Sequence, residues 1–400
     1  MNQPAGTGKL PIIPAKERAY KRSPQKRVPD KHFKEALFEL EAKGELIVQR
    51  VKEPYTEVET KFGVKKKIPL DNFWHHKSCG QCGHIPGYPT SILWMMREFG
   101  LNQFDPKNQS SCTGWNYYAS STSNPVAQAA VAVRNFAQAY EDGYFPLIHC
   151  GTSFGHYKEV REEIIHHPEI RDKLKRVMDK LGKPIVFPEE VVHYSEWLYV
   201  MRDKIAERRV LDVSDIKVTV HPACHYHKIV PEDAIFNPDI LGGQRTAVVT
   251  AGAEALGATV ADYSTWYDCC GFGFRHILVS RDFTRSFATV RKIERMKEEA
   301  NPDLVLAHDT GCVTTLDKSQ FAAQGHGHNV GIAVMADCQF AALAMGAHPY
   351  KICQLHWHGV DHRPTLKKMG IDTDKAWAEF EEQTNRIKAG EIDFLGWEDC

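Results

Sequence analysis

Short apolar runs that stop at a cysteine recur along this chain. "YFPLIHC" ends at Cys150, "IKVTVHPAC" ends at Cys224, and "PDLVLAHDTGC" delivers Asp309 and Cys312. Their length and their β-branched and aromatic content predict strands. Between them lie segments with helical spacing of apolar positions: "SILWMMREFGL" up to Gly100, an Ala-rich stretch over 126–141, "TAVVTAGAEALG" with Gly257 near its end, and 283–300. Glycine just past a helix is a common stop because it enters left-handed backbone without penalty. Alternating strands and helices predict an α/β fold with parallel sheets. Open α/β sheets gather ligands where strands end and loops begin, which is where these cysteines fall.

The order of elements repeats. One copy runs from "SCGQCGHIPGYPT" through a helix to Gly100, then "NQSSCTGW", a second helix and the strand to Cys150. The other starts from the strand to Cys224 and passes a helix, Gly257, "YDCCGFG" and a second helix before Asp309. Gly100 precedes Cys112 by 12 residues, as Gly257 precedes Cys269 by 12; Cys112 to Cys150 is 38, and Cys270 to Asp309 is 39. Cys150 then answers to Asp309 and Ser153 to Cys312, while either Ser111–Cys112 or Cys112–Thr113 answers to Cys269–Cys270. The expected organisation has four parts: an extension over 1–71, a first repeat over 72–210, a second over 211–370 and a helical tail over 371–400. The extension combines a Lys/Arg/Pro-rich arm, the helix "DKHFKEALFELEAKGE" and a hairpin in "YTEVETKFGVKKKIPL".

With 42% hydrophobic residues the chain can bury a sizeable core, and a formal net charge of -1 gives no global attraction to nucleic acid or anionic lipid. The apolar run 331–347 is broken by Asp337 and Gln339 and is too short to span a bilayer. The opening "MNQPAGTGKLPIIPAKER" has no apolar secretory core, so a cytoplasmic protein is expected. In that reducing setting the 11 cysteines read as metal ligands or redox groups rather than a disulfide framework. Cys338, Cys353 and Cys400 stand apart and read as packing residues.

Thiolates suit zinc, copper(I) or iron–sulfur clusters. Compact pairs such as Cys79 and Cys82 serve single zinc ions. The adjacent Cys269 and Cys270 are poor joint ligands for one tetrahedral ion and better suited to a cluster of several irons. Gly271 and Gly114, next to the two turns, would let backbone approach such a cluster.

In two copies, the "C…CCG…C" pattern resembles the CCG-domain family, best known from the B-type subunits of heterodisulfide reductase, over about residues 73–320. The resemblance implies two pseudo-repeated CCG domains with parallel sheets and cysteines at strand C-terminal ends. It implies a 4Fe-4S cluster at the second copy, noncubane or standard, held by Cys224, Cys269, Cys270 and Cys312. Asp309 stands where the family has a further cysteine and would be an unusual oxygen ligand. The first copy keeps Cys79, Cys112 and Cys150, has Ser153 for the last cysteine, and offers Cys82 as a stand-in. It would hold a standard cluster, an altered iron–sulfur cluster or none.

The uneven erosion of the two copies resembles the second B-type subunit of the heterodisulfide-reductase-like complex of sulfur-oxidising prokaryotes. That implies an oxidoreductase subunit acting on sulfane sulfur carried by a lipoate-binding protein, beside a flavin-containing A-type subunit and ferredoxin-like C-type subunits. Cys269, Cys270 and Asp309 are then the candidate catalytic residues, with Asp309 leaving one iron open to substrate sulfur. The chain has neither a C-x2-C-x2-C-x3-C-P run nor a G-x-G-x-x-G fingerprint, so electrons would pass to another chain. Two other readings stay open: a CCG subunit of a hydroxyacid- or quinone-linked oxidoreductase, and a non-catalytic electron-relay or scaffold subunit.

Of the 20 histidines, His84, His149, His156, His221, His225, His227, His276 and His308 flank the proposed sites. Ordinary loop histidines are the commoner case. His225 and His308, beside Cys224 and Asp309, are the best candidates for tuning cluster sulfur. "QLHWHGVDH" alternates His356 and His358 as a strand would, with Asp361 and His362 nearby, and reads as a strand end or a partner-facing surface ahead of a mononuclear metal site. Trp74, Trp94, Trp115 and Trp266 would shield the cysteine turns or simply pack the core. The basic arm is a solvated tail or wraps a partner.

Overall fold

The cysteine-terminated apolar runs are strands. A computed structural model describes residues 32–60, 63–77, 84–112, 114, 124–235, 247–272, 281–325, 327–328 and 330–392. In chain order the strands are β1 (Ile47–Gln49), β2 (Tyr55–Glu59), β3 (Lys65–Pro69), β4 (Phe73–His76), β5 (Gln103–Phe104) and β6 (Phe145–Ile148). They continue as β7 (Val186–Pro188), β8 (Val192–His193), β9 (Lys217–His221), β10 (Thr259–Val260), β11 (Leu304–Ala307) and β12 (Ala333–Ala336).

Two four-stranded parallel sheets carry the site, with orders β5-β4-β6-β8 and β10-β9-β11-β12. The second order is the first repeated, so the halves correspond strand for strand. Equivalent residues follow from the register: His76 lies opposite Ile148 and His221 opposite Ala307. All four residues of β4, β6, β11 and β12 are buried, as parallel strands covered by helices on both faces require. The mixed α/β fold with parallel sheets is the one expected.

The halves meet through equivalent surfaces. Helix Gly87–Glu98 of the first packs on Asp337–Ala344 of the second, and Ala247–Ala255 of the second packs on Tyr194–Glu207 of the first. The exchange is that of an isologous dimer interface, here within one chain. Buried apolar residues of both halves form one continuous core.

The N-terminal extension clamps this body. Helix Phe33–Ala42 buries Phe33, Leu37 and Leu40, and β2 and β3 form the expected antiparallel hairpin. Lys66 of the hairpin reaches inward to Glu196 at 2.9 Å, both side chains buried. Arg161, in helix Gly151–His166, pairs with Asp233 at 2.7 Å and lies over the Phe33 ring. No helix among the described residues is long and apolar enough to cross a membrane.

One local reading needs correction. Residues Leu355–Trp357 form a helical turn, entered through Gln354 in left-handed backbone, rather than a strand end. His358 is drawn inside, where its ring meets the Gln339 amide at 3.0 Å. The helix expected over 283–300 is present and carries a π turn, Thr289–Ile293, between Arg281–Ala288 and Glu294–Glu299.

Candidate metal centre

β9 ends at His221 and the chain turns at once into the short helix Cys224–His227, which places Cys224 above the sheet edge. β11 ends at Ala307, Asp309 caps the helix Thr310–Gln324, and Cys312 sits in its first turn. The doublet arrives on the loop after β10. Gly271 ends the turn in left-handed backbone (φ 96°), a conformation that disfavours any side chain. On the facing helix Gly311 makes room for the Phe272 ring, whose nearest atom would lie 2.2 Å from an added Cβ.

The four thiols converge in two close pairs. Cys224 Sγ lies 4.0 Å from Cys269 Sγ, and Cys270 Sγ lies 3.5 Å from Cys312 Sγ. All eight described cysteines are free thiols. Tetrahedral thiolate ligation at about 2.3 Å from a metal sets sulfur–sulfur spacings of about 3.7 Å. The residues present therefore fit a thiolate-bound metal centre. Cys270 and Cys312 are buried and Cys224 and Cys269 half-buried, so the site is shielded on its inner side and open at the other.

The charge falls on one sulfur. Hydrogen bonds from Cys224 and Cys270, with the Gly271 amide at 3.3 Å, hold Cys269 far below the usual thiol range against the effect of burial. Donation to Cys269, followed by burial, raises Cys224. Hydrogen bonding with Cys269 and Cys312, followed by burial, raises Cys270. A hydrogen bond with Cys270 would lower Cys312, but burial and the Asp309 charge push it up to about 12.

Lys292 supports this turn from beneath. The π turn directs it inward, fully buried, and its Nζ donates to the carbonyls of Thr265, Trp266 and Asp268, the last turn before the doublet. Burial lowers its pKa to about 7, against the pull of Asp268 and the cysteines. No sequence motif marked this lysine; its signal is a π turn opposite the cysteine loop.

Asp309 lies at the junction of the two halves. Its Oδ1 accepts the Cys312 amide at 2.9 Å, as a helix cap does. Its Oδ2 accepts the Thr152 amide at 2.6 Å, the Thr152 hydroxyl at 2.8 Å and the Cys150 thiol at 3.2 Å. Burial alone would raise its pKa, but His225 and these donors hold the carboxyl below the usual carboxylate range. Both oxygens thus already serve the chain, and one of them reaches the equivalent position of the other repeat. Gly151 and Gly155 permit this contact: an added Cβ would meet Ala223 Cβ at 2.9 Å and the His225 carbonyl at 2.8 Å.

At the first site, Cys112 and Cys150 are buried, and Cys150 is raised well above the usual thiol range by burial, Asp309 and then Cys112. Cys79 and Cys82 lie outside the described residues, as do Trp115 and His276. The Gly114 amide donates to Cys112 Sγ at 3.3 Å, matching the 3.3 Å contact of the Gly271 amide with Cys269 Sγ. This settles the register of the turn: Cys112 answers to Cys269, and Thr113 takes the place of Cys270. Ser153, at the Cys312 position, is buried with its hydroxyl lacking a partner among the described residues.

His308 and His225 engage backbone and side-chain neighbours, and His225 also acts electrostatically on Cys269. His308 Nε2 accepts the Ala223 amide at 2.9 Å, and His225 Nδ1 meets Thr152 Oγ1 at 2.9 Å. The histidine at the thiols is His221, with a ring nitrogen mutually within 4.8 Å of the sulfurs of Cys270 and Cys312. Only its place at a strand end, three residues before Cys224, could have singled it out in the sequence. Cys338 and Cys353 donate to the carbonyls of Tyr88 and Gln339, as packing thiols do.

Comparison with known proteins agrees with this geometry. The CCG cysteine-rich domain family matches residues 218–317. The B-type subunit of the ferredoxin:CoB-CoM heterodisulfide reductase of Methanosarcina acetivorans is 29% identical over 321 residues, covering 76% of this chain and 98% of its own length. A protein of Archaeoglobus profundus that is itself named as like the heterodisulfide reductase B-type subunit is 30% identical over 283 residues, covering 68% of this chain and 90% of its own. A crystal structure of a hypothetical protein from Helicobacter pylori shares the fold, with a TM-score of 0.57 at 12% identity. It matches over 84% of this chain, which spans 58% of that one. The sulfur pairs at the strand ends and the full-length relatives together place this chain among the CCG-domain proteins, in the family of heterodisulfide reductase B-type subunits.

Proposed function

We propose that the chain is the iron–sulfur subunit of a heterodisulfide-reductase-like complex, working on thiol, disulfide or sulfane sulfur and exchanging electrons with partner subunits. The observation that carries this reading is the convergence of Cys224, Cys269, Cys270 and Cys312, with sulfur pairs at 4.0 and 3.5 Å, in a chain of this family. These four cysteines would hold the cluster, which when bound supplies one-electron redox chemistry and an iron able to take up sulfur.

The chain's own groups prepare that site. The Gly271 amide favours the Cys269 thiolate, Lys292 holds the doublet's turn, and Phe272 packs against Gly311. The half-buried side at Cys224 and Cys269 is where a sulfur substrate would enter. The first site, with Cys112, Cys150 and the outlying Cys79 and Cys82, would take a second iron–sulfur cluster. Contact between Cys150 and Asp309 would place it next to the first.

Within this reading we assign the chain to the sulfur-oxidising branch. Its substrate would be sulfane sulfur on a lipoate-binding carrier, and its electron acceptors the flavin-containing A-type and ferredoxin-like C-type subunits. Support comes from the asymmetry of the sites: Ser153 and Thr113 erode the first, while the second loses only the cysteine position taken by Asp309.

Anaerobic purification with iron and acid-labile sulfide analysis and EPR tests the proposal. Wild type should carry iron and sulfide, Cys270→Ala should lose the second-site signal, and Cys112→Ala should retain it. No iron in the wild type would leave only a structural role, and an unchanged signal in Cys270→Ala would reject the ligand assignment.

A further inference from the structure

His221 has no visible task. It is fully buried at the end of β9, and neither ring nitrogen has a hydrogen-bond partner among the described residues. A buried neutral imidazole carries one N–H donor and one acceptor, and leaving such groups unmet is unfavourable.

The repeat shows why this ring is free. His76 holds the same register in the first half, opposite Ile148 as His221 is opposite Ala307. Each histidine precedes by three residues the first cysteine of its copy, Cys79 or Cys224. His76 Nε2 is engaged by the Tyr157 hydroxyl at 2.8 Å. Tyr157 lies seven residues after Cys150, and the residue seven after Asp309 is Leu316, which has no polar group to offer. With that partner gone, a ring nitrogen of His221 falls mutually within 4.8 Å of the sulfurs of Cys270 and Cys312, which are themselves 3.5 Å apart. A metal held at about 2.1 Å from nitrogen and 2.3 Å from sulfur fits such a group. The ligand place expected for Asp309 is meanwhile left open, because that carboxylate is bound to Thr152, Cys150 and the Cys312 amide.

We propose that a ring nitrogen of His221 is a ligand of the second-site metal centre, sharing it with Cys270 and Cys312 and standing in for the cysteine that Asp309 replaces. This rests on the iron–sulfur reading above. Neutral imidazole in place of thiolate removes one negative charge from the centre, which raises its reduction potential.

The test is pulsed EPR on the full chain purified anaerobically with 15N-labelled histidine, comparing wild type, His221→Ala, His221→Cys and His227→Ala. His227 is a control, since its ring nitrogens too are buried without hydrogen-bond partners among the described residues but lie outside the sulfur group. Wild type and His227→Ala should show the strong hyperfine coupling of metal-bound histidine nitrogen. His221→Ala should lose it, and His221→Cys should keep iron at the wild-type level with no coupling and a lower potential. The wild-type spectrum decides even if a variant fails to fold. An iron–sulfur signal without bound nitrogen, or coupling that survives in His221→Ala, would overturn the ligand role and leave the cluster reading standing. Absence of any iron–sulfur signal in wild type would overturn both.

Discussion

A carboxylate buried with four donors is a demanding arrangement, and Asp309 concentrates it at the seam between the halves. Changing Asp309 to Asn keeps one oxygen but turns the other acceptor into a donor facing Thr152 and Cys150. Hydrogen bonds to charged groups contribute about 1.5–3 kcal/mol, so Asp309→Asn should destabilise the chain by about that amount. Asp309→Ala should cost about 1 kcal/mol more, because the helix carrying Cys312 also loses its cap. Urea unfolding of the full chain measures both, and equal stability of wild type and Asp309→Asn would contradict the junction. At this scale the sequence exposed the cysteines and the aspartate among them, but matching positions of a repeat do not say which neighbours a side chain meets across the seam.

Helices and strands follow from patterns only a few residues long, and nearly all of those expected are present. Departures from these patterns have local physical causes. The π turn at Thr289–Ile293 keeps Lys292 inside against the doublet's turn, and the segment at Leu355–Trp357 has histidines in alternation but no neighbouring strand to pair with among the described residues. Close packing of elements makes a sharper prediction. Helix Gly151–His166 touches the Cys224 segment through Gly155, where a Cβ would stand 2.8 Å from the His225 carbonyl. Gly155→Ala should therefore cost about 1–3 kcal/mol by overpacking. Gly252, mid-helix with nothing within 4 Å of an added Cβ, should behave oppositely. Gly252→Ala should stabilise by about 0.5–1 kcal/mol by relieving the entropy cost of glycine in a helix. Denaturant midpoints of the two variants should move in opposite directions.

Across the whole molecule, the Arg161–Asp233 pair ties three parts together: the N-terminal helix through Phe33, the first half through its helix and the second half through the segment after Cys224. Removing one partner of a buried ion pair costs about 3–5 kcal/mol because the other charge is stranded, so Asp233→Asn should destabilise by that much near neutral pH. Burial alone would raise the Asp233 carboxyl, but Arg161, Lys66 and Lys158 hold it well below the usual range. The unfolded chain takes up this proton near pH 4, while the folded chain resists it to lower pH. Unfolding in acid therefore binds a proton. The stabilisation is complete above about pH 4 and is lost as pH falls through the folded value. The gap between wild type and Asp233→Asn should narrow in unfolding measured from pH 7 down to pH 3.

The sequence by itself determined the alternation of strands and helices, the duplication, and the delivery of cysteines to strand ends, because these depend on local periodicity and turn chemistry. The tertiary structure alone decided three further points. Cys112 answers to Cys269, since an amide–sulfur contact fixes each turn. Asp309 reaches across to the other half while capping the helix of Cys312, and His221 is the histidine that, among the described residues, groups with the sulfurs of Cys270 and Cys312. Each depends on which groups strand order and the packing of two halves bring within a few ångströms, and residues far apart in the chain carry no mark of that meeting until the fold is formed.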